Sequence, residues 1–242
     1  MMTKPTVVLI HGWSFENYSG VTDRANVWDG NPDLIRLLSQ HFHVAIFNFP
    51  GFCISELPDR AWRIDDFAQY VEDFLVQNIY HPVAVLGFSF GGAVAVRWKR
   101  RFVNTVPLLL VSPAISRSPG RQRFLAILKL VLPVPLIASL KEWLKVRVLG
   151  NSRYKLASRF VKETYLNIVT EELSADLLGL KPQEVRILFG SDDLETPAEL
   201  LIKKLPSKWL SRITVIPNGR HNIIETYRND VVSELISLIA DQ

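Results

Sequence analysis

The residues Gly87-Phe88-Ser89-Phe90-Gly91-Gly92 follow directly on the apolar run Val83-Ala84-Val85-Leu86. A strand that stops at a serine, with glycine two residues to either side, is forced into a sharp turn toward a helix. The flanking positions must be small, because side chains there would collide with neighbouring backbone. Such a turn strains the serine and holds its hydroxyl proud of the sheet edge, at the positive end of the next helix. Ala93-Val94-Ala95-Val96-Arg97-Trp98 reads as that helix. The arrangement is of little use for packing and suits attack on a carbonyl. The competing reading is a glycine-rich turn with an incidental serine.

A hydroxyl near neutral pH is a poor nucleophile and needs a base, which in turn needs an orienting acid. Val185-Arg186-Ile187-Leu188-Phe189 reads as a buried strand that ends in Gly190-Ser191-Asp192-Asp193, with Pro197 four residues on. Ile213-Thr214-Val215-Ile216 is another, followed by Pro217-Asn218-Gly219-Arg220-His221. Serine, acid and histidine thus each follow a strand, in that order. A further strand, Thr6-Val7-Val8-Leu9-Ile10, ends in His11-Gly12-Trp13. Its glycine lets the loop backbone turn close beneath the site, where an N–H can point at a developing oxyanion.

With Asn48-Phe49-Pro50-Gly51 added, these motifs make the chain resemble the α/β-hydrolases of the small-esterase and C–C hydrolase type, over residues 6–240. The resemblance implies Ser89 as nucleophile, His221 as base and Asp193 as acid. It implies the backbone N–H groups of Trp13 and Phe90 as oxyanion hole, with His11 and Gly12 supporting that loop. The spacing from Gly190 to Pro197 in the resembled motif selects Asp193 over Asp192. It further implies acyl transfer to water from a small-molecule ester or thioester, without metal or cofactor. The same triad also serves C–C bond hydrolysis and a menaquinone-pathway-like lyase reaction on an acidic small substrate. A non-catalytic ligand-binding protein on this fold is a third reading, and serine at position 89 disfavours chemistry that needs an aspartate nucleophile.

The chain alternates strand and helix, as a mostly parallel sheet covered on both faces requires. The expected fold is α/β, a sheet of about six strands with a helical cap inserted. Residues 1–116 and 182–242 form the core, and residues 117–181 the cap over the active site. Asn31 caps a helix that has Pro32 at its first position and runs to about Gln40, and Ile64, Phe67, Ala68, Val71, Phe74 and Leu75 share one helical face, with Asp65 and Asp66 in the first turn. Strands are expected at His43–Asn48 and Val106–Val111. Segments near Arg121–Leu132, Pro135–Leu149, Ser152–Val169 and Thr170–Leu180 read as cap helices, the last capped by Thr170. Where the resembled family usually carries Asp, this chain has Asn48, and Cys53 replaces a small residue, which implies altered loop hydrogen bonding and intact chemistry. The long loop after Trp13, through Phe15, Tyr18, Asp23 and Trp28, reads either as pocket wall or as surface excursion.

Charge is unevenly divided. From Arg117 to Lys181 there are twelve Lys or Arg and five Asp or Glu, a net of +7, against +4 for all 242 residues and so −3 for the rest. A basic, apolar cap could attract acidic amphiphiles or make weak membrane contact, although solvated faces of amphipathic helices explain the same charge. No nucleic-acid-binding module is present. Phe124–Leu140 is apolar but holds Lys129 and two prolines, short of the ~20 apolar residues of a membrane span. Cys53 is the single cysteine, which excludes an intrachain disulfide and, with no signal-like N-terminus, points to the cytoplasm. It reads as a bystander, not as a second nucleophile. His41, His43 and His81 lack metal-like spacing and receive no role. Oligomeric state cannot be read from these features.

Overall fold

Strands that are apolar at every position, not at alternate ones, belong in a sheet buried on both faces. The computed structural model describes residues 4–117 and 157–242. The expected helices Arg121–Leu132 and Pro135–Leu149, and the apolar stretch Phe124–Leu140, lie outside them. Six strands, β1 (Thr6–Ile10), β2 (His43–Ile46), β3 (Ala84–Phe88), β4 (Leu108–Val111), β5 (Val185–Gly190) and β6 (Ile213–Ile216), form one sheet in the order β2-β1-β3-β4-β5-β6. Every pairing is parallel. The helices are α1 (Pro32–His41), α2 (Ile64–Gln77), α3 (Phe90–Phe102), α4 (Arg159–Ile168), α5 (Ser174–Leu178), α6 (Ala198–Ile202), α7 (Ile223–Thr226) and α8 (Arg228–Ala240).

The period of two in a strand divides each apolar run between two cores. Val8 and Ile10 of β1, with Leu108 and Leu110 of β4, join Phe67 and Val71 of α2 and Ala93 and Val94 of α3. Val7 and Leu9, with Leu109 and Val111, join Leu34 and Leu38 of α1 and Val231, Leu235 and Leu238 of α8. All four residues from Val7 to Ile10 are fully buried, and each such side chain contributes roughly 1.5–3 kcal/mol relative to exposure. Substituting a charge at any of them would damage one core or the other.

The strand order places a topological switch point between β1 and β3, since the chain leaves β1 toward β2 on one side and leaves β3 toward β4 on the other. Ligands of open parallel sheets bind at the carboxyl edge beside such a point. Ser89 follows β3 there, and the loop from His11 follows β1.

Most expected elements form, with boundary shifts: β2 stops two residues early, at Ile46, and β4 starts at Leu108. Two local expectations fail. Asn31 occupies the position before α1 without making a side-chain cap. Thr170 does not cap a helix, because α5 begins at Ser174 and the Thr170 hydroxyl donates back to the Asn167 carbonyl at 2.8 Å. The loop after Trp13 turns partly inward: Tyr18, Val27 and Trp28 are buried, while Asp23 stays exposed. Among the described residues no helix is long and apolar enough to cross a membrane.

Candidate active site

The turn from β3 into α3 is as tight as its glycines require. A Cβ on Gly91 would stand 2.1 Å from the Ile10 carbonyl oxygen, and one on Gly87 would stand 2.7 Å from that of Gly91. Even alanine at Gly91 would push β1 away. Ser89 itself adopts φ 50° and ψ −115°, a conformation that costs a non-glycine residue on the order of 1–3 kcal/mol. Backbone bonds on both sides hold it there. Its N–H donates to Val111 O at 2.9 Å, and its carbonyl accepts from Gly92 N at 3.0 Å and Ala114 N at 2.9 Å.

A second glycine pair brings the acid and base loops together. A Cβ on Gly190 would lie 2.1 Å from the Gly219 carbonyl oxygen, and the Asp192 N–H donates to that oxygen at 2.8 Å. The loops after β5 and β6 thereby close over the end of β3. His221 Nδ1 lies 2.9 Å from Asp193 Oδ2, and Nε2 lies 2.9 Å from Ser89 Oγ. An ionised carboxylate only accepts, so Nδ1 carries the proton and Nε2 accepts from the serine hydroxyl. Asp193 meets His221, whereas the neighbouring Asp192 is exposed and accepts from Ser191 Oγ.

Asp193 is almost fully buried. Burial opposes its charge, but the hydrogen bond and charge of His221 and the donors of Thr196 outweigh it and lower its pKa to about 2. Its Oδ1 accepts from the N–H groups of Glu195 and Thr196, each at 2.9 Å. The Thr196 hydroxyl reaches Asp193 Oδ2 at 2.8 Å and Ser112 O at 3.1 Å. One hydroxyl proton serves one of these acceptors at a time. Sequence reasoning passed over Thr196; its signal is a hydroxyl residue three positions after an Asp, the spacing at which the two bond locally.

His11 is buried, and burial lowers its pKa to about 4 against the opposing hydrogen bond to Gly12. The Phe49 N–H donates to Nε2 at 3.0 Å, so Nδ1 holds the proton and donates it to the Gly12 carbonyl at 2.8 Å. In a trans peptide C=O and N–H point in opposite directions, so fixing the Gly12 carbonyl toward His11 turns the Trp13 N–H away from it. Gly12 itself passes beside the serine, where an added Cβ would lie 3.2 Å from that of Ser89. Neither the Trp13 N–H nor the Phe90 N–H, at the start of α3, meets an acceptor among the described residues. The Trp13 ring packs edge-on against Phe90 and Phe52 at centroid distances of 5.4 and 5.0 Å, and Tyr165 of α4 stands 5.4 Å away. The loop after β1 and α4 therefore share one aromatic wall.

The remaining candidates stand apart. Cys53 is buried with its N–H on Asn17 O, and burial pushes its thiol pKa up, away from nucleophilic use. His43 pairs with Thr6 in the sheet register, at the opposite edge from Ser89. The Asn48 side chain ties its loop to the one after Trp13: Oδ1 accepts from Val27 N at 2.9 Å and Nδ2 donates to Ala25 O at 2.8 Å. A cleft of about 500 Å³ between Pro50, Leu57, Trp62 and Tyr70 includes none of Ser89, Asp193 and His221. Among the described residues no cluster of His, Cys, Asp and Glu could hold a metal ion.

The parallel sheet in this order, with a strained serine on the β3 elbow, defines a protein of the α/β-hydrolase fold. Residues 7–235 match the sequence profile of the alpha/beta hydrolase family, and the chain belongs to it. It is 27% identical over 181 residues to "Putative esterase/lipase 2" of Mycoplasma genitalium, across 67% of this chain and 65% of that protein. It is 32% identical over 117 residues to the pimeloyl-[acyl-carrier protein] methyl ester esterase of Chromobacterium violaceum, across 47% of this chain and 39% of that one. The chain therefore matches less than two thirds of the length of either curated relative. An esterase structure from Exiguobacterium antarcticum superposes with a TM-score of 0.63 at 16% identity, covering 99% of this chain and 93% of that chain. A likeness at that identity speaks for the fold alone.

Proposed function

We propose that this chain is a serine hydrolase that cleaves a carboxylic ester or thioester through an acyl-enzyme on Ser89. The observation that carries the reading is the unbroken chain of polar contacts Ser89 Oγ–His221 Nε2 and His221 Nδ1–Asp193 Oδ2, both 2.9 Å. The two curated relatives, one named as a putative esterase/lipase and the other as a methyl ester esterase, support the same chemistry.

Ser89 Oγ attacks the carbonyl carbon while its proton passes to His221 Nε2, and buried Asp193 stabilises the imidazolium. The carbonyl oxygen becomes an oxyanion that accepts from the Trp13 and Phe90 N–H groups, each worth on the order of 3 kcal/mol. The intermediate collapses, the bond to the leaving oxygen or sulfur breaks, and Nε2–H protonates the leaving group. Water then attacks the acyl-enzyme with Nε2 as base, the Oγ–carbon bond breaks, and the proton returns to Oγ. Residues 117–181 act as an inserted cap whose α4, through Tyr165, adds to the wall beside Trp13. The lone Cys53 accords with a reducing, cytoplasmic setting.

Intact-mass labelling with a fluorophosphonate tests this directly. The wild type should take one adduct, and Ser89→Ala should lose both the adduct and at least about a thousandfold in ester turnover. Full-rate turnover by Ser89→Ala would remove the acyl-enzyme, and a folded wild type that takes no label would favour proton-abstraction chemistry or ligand binding instead.

A further inference from the structure

The carboxylate of Glu195 lies 3.7 Å from His221 Nε2, on the imidazole edge that meets Ser89 Oγ. Its backbone is anchored by the bond from its own N–H to Asp193 Oδ1, while its side chain is 73% exposed. The relay uses Asp193 through its carboxylate but Glu195 only through its main chain. A second carboxylate at the reacting edge is thus unspent.

We propose that Glu195 is a specificity-determining residue whose carboxylate disfavours substrates bearing a negative charge near the scissile carbonyl, an inference that rests on the Ser89–His221–Asp193 reading above. The transition state already concentrates negative charge beside Ser89. A substrate anion bound within a few ångströms of Glu195 adds a like-charge repulsion that solvent screens but does not cancel.

Among the described residues, the charges around His221 leave Glu195 as the one that decides. Asp193 is buried and committed to Nδ1 of His221. Asp192 is exposed but its carboxylate accepts from Ser191 Oγ. From the β3–α3 side His221 meets the Phe88 ring and the Ser89 hydroxyl, neither of them charged. Arg220, the neighbouring cation in the chain, is exposed and forms no ion pair with Asp193 or Glu195 among the described residues. The net +7 of residues 117–181 raises the concentration of anions near the protein without aligning them for reaction. Attraction to the protein and rejection at the reacting carbonyl are separate effects, and Glu195 governs the second.

Three phenyl acetates carrying a 4-carboxylate, a neutral 4-methoxycarbonyl or a 4-trimethylammonium group provide the test, turned over by full-length wild type, Glu195→Gln and Glu195→Lys. Comparing each variant with wild type cancels the intrinsic reactivity of the esters. Relative to the neutral ester, kcat/KM on the carboxylate ester should rise about fivefold in Glu195→Gln and further in Glu195→Lys. The trimethylammonium ester should move the opposite way, and both effects should shrink at high salt. Ratios that stay within about twofold of wild type in both variants, while fluorophosphonate still labels Ser89, overturn this role for Glu195 alone. Failure to label any variant, with Ser89→Ala as active as wild type, overturns the triad reading and this inference with it.

Discussion

Two imidazoles stand at the carboxyl edge of the sheet, and their partners make opposite groups of them. Both nitrogens of His11 are spent on backbone, Nε2 on the Phe49 N–H and Nδ1 on the Gly12 carbonyl. Its ring packs between Phe49 and Phe52 at 4.9 and 5.0 Å. His221 instead lies between two side chains that can exchange charge with it, at a partly open position. A histidine whose partners are peptide groups is a neutral strut. One placed between a carboxylate and a hydroxyl is a proton carrier. Residue type and position after a strand are the same, so the difference lies in the acceptors and in access to water.

Substitution at the two positions should separate activity from stability, and this is the strongest test of the comparison. His221→Gln should reduce ester turnover by about a thousandfold or more with little change in unfolding free energy. His11→Ala should cost on the order of 3 kcal/mol, since it leaves a cavity and orphans a buried N–H and a carbonyl. Its turnover should fall only about tenfold to a hundredfold, in kcat and not KM, because the Gly12 carbonyl no longer fixes the Trp13 N–H. The same contrast has a pH signature. The folded state refuses a proton at His11 down to about pH 4, whereas the unfolded chain accepts one near 6.5. Between those values the unfolded state binds more protons, so stability falls as pH drops through this window, by about 3 kcal/mol in all. Urea unfolding from pH 7 to pH 4 should show this loss in wild type and not in His11→Ala. Equal slopes in the two proteins would mean that His11 is not the buried neutral strut described.

Thr196 sharpens the His221 side of the comparison. Thr196→Val keeps the backbone donor to Asp193 and removes the hydroxyl, so Asp193 retains its charge but loses one donor. The expected outcome is a drop in kcat of about tenfold, with Thr196→Ser close to wild type. An unaffected Thr196→Val would show that the hydroxyl serves Ser112 O and not the acid.

Much of this arrangement was legible because it depends on what cannot be accommodated. The apolar runs of β1 and β4 announce burial on both faces, and the glycines at 87, 91, 190 and 219 mark places where two backbones touch. Such steric demands leave a trace in residue type. Hydrogen bonds that one side chain makes and another could replace leave less, so neither the Thr196 bond to Asp193 nor the turn of the Thr170 hydroxyl back to Asn167 O can be read from residue type. The fate of the loop after Trp13 turned on whether its scattered aromatics share one destination, and spacing in the chain does not contain that. Glu195 is the extreme case, since its proximity to His221 follows from the turn that Asp193 organises around its own oxygens.

Asn48 offers the smallest effect and tests how the strut is clamped from outside. The side chain of Asn48 and the N–H of Phe49 grip the loop after β1 at two places, the first through Val27 N and Ala25 O and the second through His11. Only one amide orientation satisfies both Asn48 bonds, oxygen toward the Val27 N–H and nitrogen toward the Ala25 carbonyl. Asn48→Asp keeps the first and replaces the second with a carboxylate facing a carbonyl oxygen. The bond is exposed, so the expected loss is at most about 1 kcal/mol in unfolding free energy. Turnover should stay within about twofold of wild type, because His11 retains its own bond to Phe49 and the relay at His221 is untouched. A fall in kcat comparable to that of His11→Ala would show that the two grips are coupled, and that the Trp13 N–H depends on the whole loop and not on His11 alone.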